Sequence, residues 1–154
     1  MRRSLWFVSV FAIALTAVLA GPAQAQAPAA PAAPAARTFN GDAGLVLIYV
    51  KPEKTADFET AMGRVKEALS KSDKPERKQQ AASWRLFKAS ASPAGQIYVF
   101  VISPSVKNAD YGIGAILGDG LPQEARAIYQ TYADSLATQP QVIIPLDLVN
   151  DFSK

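Results

Sequence analysis

Residues 44–69, GLVLIYVKPEKTADFETAMGRVKEAL, decide the fold. Their first part, LVLIYV, is an unbroken apolar run of strand length rich in β-branched residues, and Pro52 ends it because proline cannot donate to a sheet ladder. A helix then follows over about 56–70. Phe58, Met62, Val65 and Leu69 recur at helical spacing and mark one buried stripe, Thr55 is the expected N-cap, and Asp57 and Glu59 suit the positive helix start. The strand is apolar on both faces, whereas a half-exposed sheet alternates apolar and polar residues.

Working outward, the polar connection KSDKPERKQQAA holds a short helix after Pro75, and a second strand covers about 83–89. SPAG (92–95) is a turn, and QIYVFVI (96–102) is a third strand, so the pair forms an antiparallel hairpin. A short helix near 109–117, ended by Gly118, precedes a second long helix that begins near Pro122, a favoured first-turn residue. Ala125, Ile128, Tyr129, Tyr132 and Leu136 mark its inner face, and a last strand covers 141–146, with Pro145 pointing to an edge or a bulge. The order is βαββαβ, an α+β, ferredoxin-like plan with a four-stranded antiparallel sheet and both main helices on one face. The third strand is also apolar on both faces. If about six large side chains met water there, covering them would be worth roughly 10–20 kcal/mol as an upper estimate. The second face is therefore expected to be buried, most simply against the same face of another copy in a two-fold homodimer.

The N-terminal residues read as a secretory signal: Arg2 and Arg3, an apolar core over 5–20, and the small-x-small site AQA at 23–25. The core is shorter than the roughly 20 residues a spanning helix needs, so no membrane span is expected after cleavage. The expected organisation is a signal over 1–25, a flexible Pro/Ala-rich linker over 26–37 and a folded domain over 38–154. The expected location is exported, periplasmic or extracellular. Loss of the two leader arginines lowers the formal charge from +3 to +1, too little for a nucleic-acid field. With no cysteine, the chain cannot use the disulfides that export permits.

The stretches LVLIYVKPEKTADFETAMGRVKEAL, WRLFKAS and GQIYVFVIS resemble the dimeric α/β-barrel superfamily, which includes antibiotic-biosynthesis-monooxygenase-like domains. The resemblance implies paired ferredoxin-like sheets and a pocket between sheet and helices. Cofactor-free oxygenases, haem degraders and proteins of no known activity share that fold, so the fold alone selects none of them.

The absence of histidine removes the common general base and the most frequent metal ligand, including the axial ligand of a haem degrader, and the absence of cysteine removes thiolate chemistry. GIGAILGDG (112–120) has neither the spacing nor the Lys-Ser/Thr ending of a phosphate loop. No carboxylate cluster suggests calcium; N-capping accounts for Asp110, and surface solvation for Asp119, Asp147 and Asp151. KSDKPERKQQAASWRLFK carries six Lys/Arg against two acids and reads as a solvated loop, with an anionic partner surface as the alternative. The aromatics remain as site candidates. Tyr49, Trp84, Tyr98 and Phe100 lie on strands and Tyr111 in a segment able to roof a pocket. Core packing is the competing account of each. No cofactor or metal is expected. The expected function is a dimeric, non-catalytic module binding a small apolar ligand or a partner. The alternatives are a cofactor-free oxygenase acting on a hydrophobic aromatic substrate, with Asn108 or Asp110 polarising it, and a structural envelope protein.

Overall fold

The computed structural model describes residues 37–93 and 95–153. The expected signal and nearly all of the Pro/Ala segment lie outside the described residues. The elements are β1 (Ala43–Val50), a 3₁₀ turn (Pro52–Lys54), α1 (Thr55–Lys71), α2 (Pro75–Ser83), β2 (Trp84–Lys88), β3 (Gln96–Ile102), α3 (Ile113–Gly120), α4 (Ala125–Ser135) and β4 (Val142–Leu146). The sheet order is β2-β3-β1-β4 with every neighbouring pair antiparallel, which is the ferredoxin-like topology.

One sheet face carries the core. Along β1, Val46, Ile48 and Val50 are buried, and along β3 so are Tyr98, Phe100 and Ile102. The α1 stripe of Phe58, Met62, Val65 and Leu69 covers them together with Ile128 and Tyr132 of α4. Phe58 sits with its ring centroid 4.5 Å from that of Tyr98 and 6.0 Å from that of Tyr132. α3 lies against α1 so closely that a Cβ on Gly120 would stand 2.0 Å from the Ala68 carbonyl oxygen. Gly95 closes the β2–β3 hairpin at φ +124°, a conformation that disfavours any side chain.

The opposite face is different. Leu45, Leu47 and Tyr49 of β1 and Ile97, Val99 and Val101 of β3 are only half-buried. On the edge strands, Phe87, Val142, Ile144 and Leu146 share that face and are exposed. The expectation that both faces are covered therefore holds within this chain for one face only.

Several local expectations are corrected. Thr55 does not cap α1: its N-cap is Lys54, without a side-chain cap, because the Pro52–Lys54 turn feeds directly into the helix. The short helix is Ile113–Gly120 rather than 109–117, since Asn108 holds a left-handed φ of 62° and Asp110 engages the backbone ahead of the helix. Pro122 lies in the turn before α4, which starts at Ala125. Pro145 does lie on an edge strand. The basic stretch is α2 and β2 rather than a loop; its lysines and Arg85 are exposed, as expected of a solvated segment, but Arg77, 3% exposed, is enclosed.

Candidate functional site

α1 and the edge strand β2 diverge enough to leave a groove of about 640 Å³, within the range of small-molecule sites. Met62, Val65 and Leu69 of α1 form one wall, and Trp84 and Leu86 of β2 with Phe100 of β3 form the other. Ala81 of α2 contributes at one end, and Gly63, Lys66, Glu67 and Ser70 form the rim. The periodicity that buries α1 against the sheet also turns residues 63, 66, 67 and 70 along one side of the helix, spaced three and four apart.

Gly63 is the least expected of these residues. It occupies the middle of a 17-residue helix, where glycine costs roughly 0.5–1 kcal/mol relative to alanine. A Cβ at this position would meet nothing within 4 Å. Close packing among the described residues therefore does not require glycine, and its bare backbone widens the groove.

Trp84 fixes the groove wall. Its ring makes edge contacts with Phe100 (centroids 5.1 Å, 70° between planes) and Tyr111 (5.5 Å, 72°), and Tyr111 in turn meets Phe39 at 5.4 Å. Trp84 Nε1 is buried and has no hydrogen-bond acceptor among the described residues. One turn along α1 from Met62 and Gly63, Glu59 accepts hydrogen bonds from the buried Tyr98 hydroxyl and from Lys88 Nζ, the latter at 2.9 Å. Burial, then the hydrogen bond to Glu59, pushes the Tyr98 phenol up from its ordinary value. The bond from Tyr98, then that from Lys88, holds the Glu59 carboxyl low.

The structure does not bring the sequence-derived candidates together in one place. Trp84 and Phe100 line the groove, and Tyr98 lies beyond its end. Tyr49 is on the opposite sheet face, with Leu45 and Leu47. Tyr111 is fully buried behind Trp84, and its hydroxyl accepts from the Val106 N–H at 2.8 Å. Asp110 Oδ1 accepts from the Arg37 and Gly112 N–H groups, each at 2.7 Å, while Asn108 forms the left-handed turn beside it. Asn108 and Asp110 are not among the residues lining the groove. Asp119 is not a solvated surface acid: it accepts from Arg77 Nε (2.9 Å), Arg77 Nη2 (2.7 Å) and Lys74 Nζ (2.8 Å). Among the described residues no group of three acids could hold a metal ion, and no helix is long and apolar enough to cross a membrane.

Gly63 and Lys66 line the groove but were not among the expected site residues. An isolated glycine inside a clear helical period was the available signal. Lys66 carries no such mark, because a lysine on a polar helix face is ordinary.

No protein-family model and no curated protein match this chain. Among solved structures, the chain is similar to a Caulobacter crescentus CB15 protein whose name proposes it to be an antibiotic biosynthesis monooxygenase. The identity is 20%, the TM-score 0.43, and the match covers 73% of this chain and 94% of that one.

Proposed function

We propose that this chain is an exported, non-catalytic protein that binds a small apolar ligand in the groove between α1 and β2, and that a second copy covers its open sheet face. The observation that carries the ligand reading is Gly63: a helix-interior glycine, unfavourable by propensity and without close neighbours, on the rim of an apolar groove. Apolar walls with a few polar groups at the rim are the usual make-up of a small-molecule site. Export rests on the leader-like N-terminal sequence, and pairing on the two-sided apolar strands.

The test is a titration with the neutral fluorophore N-phenyl-1-naphthylamine. The protein should bind it with a blue-shifted emission. Gly63→Leu places a side chain in the groove and replaces glycine with a strong helix former, so it should abolish binding while stability holds or rises by up to about 1 kcal/mol. Unchanged binding by a stably folded Gly63→Leu protein would remove the groove as the site.

A further inference from the structure

We infer that the groove takes an anionic amphiphile: an alkyl or aryl chain over Met62, Leu69, Leu86 and Phe100, with a single carboxylate at Lys66. This rests on the groove being a ligand site and adds the charge of its ligand.

The charges around the groove are unequally compensated. Two charged residues line it, Lys66 and Glu67. Glu67 is already neutralised, accepting from Arg64 and from Lys71 Nζ at 2.6 Å. Beyond the apolar end, Glu59 and Lys88 neutralise each other. Other members of the basic stretch are engaged as well, since Lys74 and Arg77 both serve Asp119. The Lys66 side chain has no hydrogen bond or ion pair among the described residues, nor has that of Lys78, one turn before Ala81 on the helix that contributes to the groove's end.

The rim thus presents uncompensated positive charge beside an apolar floor, and among the described residues no uncompensated acid lines it. The α1 row that follows the bare backbone of Gly63 offers the Lys66 ammonium, while the Ser70 hydroxyl, one turn on, already donates to the Glu67 carbonyl oxygen at 2.8 Å. A carboxylate placed there gains a Coulombic partner while its chain leaves water. An uncharged chain gains only the second contribution, and a cationic head is repelled.

Calorimetric titrations at pH 8 and low salt with decanoate, decan-1-ol and decyltrimethylammonium test this. Decanoate should bind one per chain and more tightly than decan-1-ol, with decyltrimethylammonium weakest. Lys66→Glu should weaken decanoate about three- to tenfold and leave decan-1-ol unchanged. If decanoate and decan-1-ol bind alike and Lys66→Glu moves neither, the charge inference fails while the groove reading stands. If none of the three binds, or if decanoate binds undiminished to Gly63→Leu protein, the groove reading fails and takes this inference with it. Vesicles of phosphatidylglycerol and phosphatidylcholine separate a membrane source from a free acid. No co-sedimentation is expected, and co-sedimentation lost on Lys66→Glu would assign the anion to a lipid headgroup and overturn the free-acid proposal.

Discussion

At the scale of single residues, the Arg77–Asp119 pair shows how burial changes the value of a charge. The Arg77 side chain is 4% exposed and that of Asp119 19%, and the guanidinium also donates to Gln80 Oε1 at 2.8 Å and to the Asp110 carbonyl oxygen. Burial pushes the Asp119 carboxyl up, but the hydrogen bonds and charges of Lys74 and Arg77 outweigh it and leave the group below its ordinary value. Asp119→Asn removes the anion and strands an enclosed guanidinium. Breaking a buried pair from one side typically costs 3–5 kcal/mol, so a loss of about 3 kcal/mol in urea unfolding is expected here. Lys74 reaches the same carboxylate from a side chain 54% exposed, and Lys74→Ala should cost less than about 1 kcal/mol. Equal losses from the two substitutions would contradict this division.

At the scale of elements, the outer face of β1 and β3 is the feature that a single chain leaves unfinished. Leu47 lies at its centre, opposite Val99 on β3 and Val142 on β4. The C-terminal residues extend the apolar surface, with Leu148, Val149 and Phe152 all well exposed. Exposed contiguous apolar faces of this kind mark association surfaces. The protein should sediment as a dimer at micromolar concentration, and Leu47→Lys should give monomers or aggregates with the helix-side core intact. A stable wild-type monomer in analytical ultracentrifugation would leave that face without its proposed cover.

At the scale of the whole molecule, the distribution of titratable groups sets the pH response. The carboxyls of Asp42, Glu59 and Glu67 are lowered chiefly by hydrogen bonds, from the Leu148 N–H, Tyr98 and Lys71 respectively, and Asp119 is lowered as described. Lowered acids contribute stability that is present above their unfolded values, near 4, and is lost as pH falls through the folded ones. Lys54 and Lys88 are raised by hydrogen bonds to Asp57 and Glu59, and burial raises the Tyr98 and Tyr132 phenols. Those contributions are complete below about 10 and are lost as pH rises through the folded values. With no histidine in the chain, the melting temperature should be flat from about pH 5 to 9 and fall on both sides. An inflection between pH 6 and 8 would reveal a shifted group that these contacts do not explain.

The element order, the antiparallel hairpin, the inner stripes of both long helices and the two-sided apolar character of β1 and β3 were all legible in the chain before it folds. Each of these is a periodic or contiguous pattern, and local geometry converts such a pattern directly into a face. The length of the 112–120 helix and the start of α4 were not legible, because Asn108, Asp110 and the turn at Pro122 act through backbone geometry that composition does not encode. Nor was the site. Trp84 and Phe100 meet Met62, Gly63 and Lys66 only because β2 is an edge strand and α1 crosses beside it. The same packing took Tyr49 to the opposite face and enclosed Tyr111 behind Trp84. Which aromatics line a space and which fill the core depends on the gap between two elements far apart in sequence, and only the tertiary structure decides that gap.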